Sequence, residues 1–173
     1  WDNEQLPFYY VQLSSLNRPS WSWFRDSQRR LMNEIPNTGM AVCTDRGDSL
    51  DVHPTRKQEV GERLARWALN KTDGHHVIPS GPLYKSVVFN KNVAYVSFDY
   101  ADGMKAAEEG AELKTFEVAG EDQMFYPAKA VVEGNRVKVW SDQVKEPKIV
   151  RYGWQPFTRA NLVNGEGLPA STF

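Results

Sequence analysis

Phe8-Tyr9-Tyr10-Val11-Gln12-Leu13 is aromatic or apolar on both of its alternating faces, and no other stretch limits the fold as strongly. A strand that offers no side to water is expected inside a parallel sheet covered on both faces. After a turn at Asn17 to Pro19, Ser20 can cap a helix in which Trp21, Phe24, Leu31 and Ile35 recur on one face. Pro36-Asn37 ends that helix, and Gly39 adds a break before a second short apolar strand, Met40-Ala41-Val42-Cys43. Beyond the polar loop Thr44 to His53, Pro54 suits an early helical position. Val60, Leu64, Trp67 and Ala68 then give a second helix its apolar stripe, beside expected Glu59–Arg63 and Glu62–Arg66 pairs. Strand, helix, strand, helix with short links is the pattern of a parallel α/β sheet, but two strands cannot bury both faces. The missing strands are expected to come from elsewhere.

From about Thr72 helical periodicity stops and Gly74, Pro79, Gly81 and Pro82 punctuate a linker. Tyr84 to Phe89 and Val93 to Phe98 flank Asn90-Lys91-Asn92, while Lys129 to Val132 and Arg136 to Trp140 flank Glu133-Gly134-Asn135, so both pairs read as hairpins. Further strands are expected near Leu113 to Val118 and Ile149 to Trp154. The expected organisation is an α/β portion over residues 1–72, a linker over 73–82 and a small antiparallel β-sandwich over 83–173.

A formal net charge of −1 offers no broad field for a phosphate backbone, which argues against nucleic acid as a partner. Apolar runs such as Phe8 to Val11 and Ala130 to Val132 are far shorter than the roughly 20 residues needed to cross a bilayer, so no membrane span is expected. Cys43 is the only cysteine, which excludes an internal disulfide. Trp1 and the polar run Asp2 to Gln5 are expected to mark an internal cut, with any targeting peptide outside the chain.

The richest candidate site is Asp45-Arg46-Gly47-Asp48-Ser49-Leu50-Asp51-Val52-His53-Pro54, between an expected parallel strand and a helix. Loops at the carboxyl ends of parallel strands line the ligand crevice of open α/β folds, because their side chains converge on one sheet edge. A histidine there can accept a serine proton and return it to a leaving alcohol, provided a carboxylate fixes its tautomer. Asp51 and Asp48 are the candidate carboxylates for His53.

The stretch resembles the sialate O-acetylesterase branch of the SGNH (GDSL-like) hydrolases. The blocks that carry the resemblance are Phe8 to Ser15, Pro36 to Val42, Asp51-Val52-His53-Pro54 with Lys57, and Val60-Gly61-Glu62-Arg63-Leu64. Arg151-Tyr152-Gly153-Trp154, Asn161-Leu162 and Gly167-Leu168-Pro169-Ala170 look like that family's closing segment, so the resemblance covers nearly the whole chain. It implies the C-terminal βαβα portion of a flavodoxin-like SGNH domain followed by a β-sandwich. It also implies hydrolysis of O-acetyl esters of sialic acid or related acylated sugars, with His53 as the family histidine.

Many SGNH enzymes carry the supporting aspartate three residues before the histidine, where this chain has Leu50. Asp51 is preferred because Asp-aliphatic-His-Pro recurs in this branch; Asp48 and a backbone carbonyl are the alternatives. The family's serine block and oxyanion hole lie upstream of the residues present here, so the resemblance implies a partner: the N-terminal portion of the same esterase. Ser14 and Ser15 lack the glycine-flanked turn that exposes a nucleophile. No cofactor and no metal are implied; the resemblance suggests a bacterial, periplasmic or secreted enzyme.

Gln12 and Ser14, near the carboxyl end of the first strand, are candidate substrate-lining residues. Adjacent His75 and His76 point oppositely in extended chain and suit a linker rather than a metal, and Cys43 suits packing. Glu108, Glu109 and Glu112 read as a solvated charged segment. Trp140, Tyr152, Trp154 and Phe157 could form a sugar-stacking platform, although strand alternation favours core packing. That platform motivates the rival reading, a non-catalytic carbohydrate-binding or interface module.

Overall fold

In this computed structural model, which describes residues 5–173, β1 (Phe8–Val11) and β2 (Thr38–Ala41) pair in parallel, Phe8 opposite Thr38 and Val11 opposite Ala41. The polar run that begins at Asp2 lies outside the described residues as far as Glu4. Helix α1 (Trp21–Glu34) connects the two strands, and α2 (Lys57–Trp67) follows them, continuing through a π-helical turn at Ala68–Thr72. The remaining strands form antiparallel sheets, the smallest made by β5 (Lys105–Ala106) with β11 (Leu162–Val163), so the described residues are mixed α/β with two α-helices and mostly antiparallel pairing.

Both expected hairpins form. β3 (Leu83–Asn90) pairs with β4 (Val93–Asp99), and β8 (Lys129–Glu133) pairs with β9 (Arg136–Trp140). Lys91 and Gly134 take positive φ in the two connecting turns, as tight hairpins require. These strands make a four-stranded sheet in the order β3-β4-β9-β8. A three-stranded sheet, β10-β6-β7, is built from β6 (Phe116–Ala119), β7 (Phe125–Pro127) and β10 (Ile149–Tyr152). The strand expected from Leu113 begins only at Phe116, because Thr115 turns left-handed with φ 64°. The main core gathers Val96, Phe98, Phe116, Val118, Val137, Val139 and Tyr152 from these sheets and Phe173 from the segment after them.

Three local features qualify or correct the expectations. The first concerns β1, which this chain alone leaves partly open: Phe8 is 64% exposed, and Tyr9 and Tyr10 are only half-buried, so the expected cover on both faces would have to come from further strands. The second concerns α1, which presents the opposite face to the one expected. Phe24 and Ile35 are 55% and 48% exposed and Leu31 is exposed as well, whereas Ser22, Arg25 and Asp26 are buried. Ser20 occupies the cap position, but its side chain makes no capping bond. The third concerns α2, which starts at Lys57, after Pro54, and neither expected ion pair forms. Arg63 turns inward to Asp45, Glu59 pairs with Arg56, and Arg66 pairs with Glu166.

The inversion of α1 follows from what Arg25 finds. Its side chain is fully buried, and Nη2 donates to the carbonyls of Gly153 (2.9 Å) and Gln155 (2.6 Å). Nη1 donates to Pro156 O (2.7 Å) and Nε to Thr172 Oγ1 (3.0 Å). Burial lowers the guanidinium to about 10, still well above neutrality, so it stays charged. Beside it, Gln12 Nε2 donates to Arg25 O and to Ser171 Oγ, tying β1, α1 and the C-terminal segment together. Gly39 lets α2 approach β2, since a Cβ there would lie 2.5 Å from the Trp67 ring.

Replacing Arg25 by Leu removes all four of these donated bonds, leaving Gly153 O only the Thr172 hydroxyl and Pro156 O only Leu16 N, and is expected to cost about 3–5 kcal/mol of folding stability. Urea denaturation followed by circular dichroism measures it. An unchanged midpoint would mean that these bonds do not hold the helix.

Candidate active site

The His53 loop is built outward from the end of β2. Val42 and Cys43 continue buried beyond the strand, and a single 3-10 turn, Thr44–Arg46, leads into the loop. Arg63 of α2 fixes the turn from below: Nη1 and Nη2 donate to Asp45 Oδ1 (2.7 Å) and Oδ2 (2.8 Å), and Nη1 also reaches Val42 O (2.7 Å). This fork on a carboxylate is the strong bidentate geometry of arginine. Burial pulls the Arg63 pKa down, but the Asp45 carboxylate more than offsets it, leaving the guanidinium raised.

The loop then presses against the end of the first strand. At Gly47 a Cβ would stand 2.1 Å from the backbone oxygen of Ser15, so only glycine fits. Ser15 Oγ donates to Thr44 O (2.7 Å), and Asn17 N donates to Ser49 O (3.2 Å). Asp48 Oδ1 accepts the backbone N–H groups of Leu50 (2.8 Å) and Asp51 (3.2 Å), and Asp51 Oδ1 accepts the N–H of His53 (2.8 Å). These are Asx-type turns, in which a short carboxylate replaces the missing backbone acceptor.

Asp48, Asp51 and His53 therefore meet in one exposed surface cavity of about 280 Å³, walled also by Asp45, Arg46, Gly47 and Arg56. Among the described residues, neither carboxylate bonds to the imidazole ring; both are engaged by backbone N–H groups. A second cavity of about 450 Å³ shares Asp45 and Gly47 with the first and is lined by Phe157, Arg159 and Lys114 from the β-rich part. The sequence reading identified the histidine and both aspartates of this loop. It named Asp45 and Gly47 within the loop without a role for either and expected Arg63 to pair with Glu59, because each looks like a solvated polar or turn residue until its partner is known.

The other candidates lie elsewhere. Gln12 is fully buried and its amide nitrogen is bonded inside the protein, so it does not line the His53 cavity. Ser14 is buried too, its carbonyl accepting from Trp21 Nε1 (2.7 Å), and Ser15 is closed in by Thr44. Cys43 is buried, and burial pushes its thiol up. His75 and His76 are exposed in the loop after the π-helical turn, and no group of His, Cys, Asp and Glu suited to a metal occurs among the described residues. The four aromatics do not share a platform: Tyr152 is in the core with its hydroxyl accepting from Leu162 N, and Trp154 and Phe157 line different cavities.

No protein-family model matches the chain, and no curated protein matches it either. Among solved structures, it matches a carbohydrate acetylesterase from Xanthomonas citri with a TM-score of 0.90 and 38% sequence identity. That match covers 98% of this chain and 41% of the other, so the chain spans less than half the length of that enzyme.

Replacing Asp51 by Ala removes the acceptor of the His53 amide and is expected to speed exchange of that proton by about fivefold, the equivalent of one ordinary hydrogen bond. Asp48→Ala should do the same for the Leu50 and Asp51 amides and leave His53 unchanged. Amide exchange read by NMR separates the two, and equal effects at all three sites would contradict this division of labour.

Proposed function

We propose that this chain is the C-terminal part of a serine esterase of the sialate O-acetylesterase type, acting on O-acetyl esters of sialic acid or related acylated sugars. The observation that carries this reading is the likeness to a carbohydrate acetylesterase across almost the whole chain, taken together with this chain's own exposed histidine in a loop after a parallel strand. The reading includes a flavodoxin-like SGNH portion over residues 1–72, a linker over 73–82 and a β-sandwich over 83–173.

In this mechanism a serine from the upstream portion attacks the acetyl carbonyl while His53 takes its proton. The tetrahedral oxyanion collapses, the sugar alcohol leaves with the proton from His53, and water activated by the same imidazole releases acetate. Asp51 orients the ring, with Asp48 as the alternative. Asp51 Oδ2 carries no bond among the described residues, which frees it to accept the imidazole N–H while Oδ1 keeps the His53 backbone in place.

The N-terminal portion of the same esterase is the proposed partner. Support for it comes from β1, which is unpaired on its outer edge among the described residues, and from exposed Phe8, Val11, Phe24, Leu31 and Ile35. An open parallel edge and exposed apolar side chains are what further strands and helices of a larger domain would cover.

The test joins the upstream portion to this chain and measures acetate release from O-acetylated sialic acid and from a neutral O-acetylated oligosaccharide. His53→Ala is expected to lower turnover by about 10³-fold or more, and Asp51→Asn by about 10²–10⁴-fold. Undiminished turnover in the His53 variant would eliminate its role. Turnover of the neutral substrate alone would remove the sialate specificity and keep the esterase.

A further inference from the structure

On another part of the surface, helix α1 and the β-rich part enclose a groove of about 400 Å³ that shares no lining residue with the His53 cavity. Trp23, Tyr84, Phe125 and Trp154 contribute aromatic surface to it. Trp23 is 64% exposed and meets Trp154 edge to face, the ring centroids 5.1 Å apart. Such rings offer flat apolar surface to the C–H face of a pyranose, whereas an acyl chain is better matched by a deep aliphatic slot.

The polar lining is unbalanced. Arg29, Arg30, Lys148 and Arg151 face one carboxylate, Asp26, which is buried and already held by both Arg29 and Arg30. Arg151 donates through Nε to Glu117 (2.9 Å), leaving both terminal nitrogens without a partner among the described residues. Its guanidinium carbon stands 3.7 Å over Phe125 and 5.7 Å from the Trp154 ring. Lys148 is exposed, and its ammonium has no ion pair among the described residues. A guanidinium already fixed against aromatic rings keeps its outer edge ready for a bidentate acceptor and loses little freedom on binding.

We propose that this groove binds a saccharide bearing a carboxylate, with sugar rings against Trp154 and Trp23 and the carboxylate on Arg151 and Lys148. The proposal does not depend on esterase activity. It gives the chain a glycan-holding site apart from the His53 loop, for an acidic sugar such as a uronate.

The probe is trigalacturonate, titrated into the ¹⁵N-labelled chain, with neutral cellotriose as the comparison. The indole N–H signals of Trp23 and Trp154 are expected to move, and cellotriose to bind at least about tenfold more weakly. Lys148→Ala, a surface change with no partner to lose, should weaken trigalacturonate by about fivefold, and added salt should do the same. Indole signals that stay still in a folded spectrum would overturn the proposal. So would cellotriose binding as tightly as the acid, or shifts confined to the residues around His53.

Discussion

One buried cation sets the arrangement of the molecule. Arg25 brings a full charge into the interior with no ion pair among the described residues, which is tolerable only because three carbonyls and a hydroxyl accept its protons. Those acceptors lie between Gly153 and Thr172, so the helix that connects β1 to β2 can pack only when the C-terminal segment is in place. Gln12 and Ser15 extend the same seam, reaching Ser171 and Thr158. The α/β part and the β-rich part are therefore joined by directional polar bonds. A seam of that kind fixes one orientation, whereas apolar surfaces alone would tolerate sliding.

The same economy of space shapes the His53 loop. Gly47 admits the backbone of Ser15 where any side chain would collide, and the Arg63 fork on Asp45 clamps the turn before it. Beyond Gly47 the loop is solvated: Leu50 is 90% exposed, and each of the two aspartates gives its Oδ1 to backbone amides. A rigid entry followed by a solvated tip allows a histidine to be presented at a surface while the remaining groups of a site approach from outside the loop.

Much of this was legible in the residues. The hairpin turns announced themselves through Asn90-Lys91-Asn92 and Glu133-Gly134-Asn135, because local backbone chemistry decides them. The placement of His53 between a strand and a helix was equally local. The face of α1 was not, because its outcome rests on bonds from Arg25 to residues more than 120 positions away. An apolar stripe of Trp21, Phe24, Leu31 and Ile35 predicts burial against something, but it does not say whether that surface belongs to the same stretch of chain. Gln12 failed as a cavity residue for a related reason: a polar side chain at a strand end looks the same in sequence whether it faces a ligand or an arginine backbone. The absence of a carboxylate on the imidazole was also illegible, since Asp51 can serve either the ring or its own loop.

The position of Thr172 in the Arg25 cluster carries a consequence for how the chain is made. Its hydroxyl stands 147 residues after the arginine it accepts from. At ribosomal speeds of roughly 5–20 residues per second, that separation is about 7–30 s of synthesis. During that interval helix α1 has emerged with its cation still hydrated and its exposed aromatics uncovered. Helix α1 can thus take its final packing only after the segment from Gly153 to Thr172 has been made.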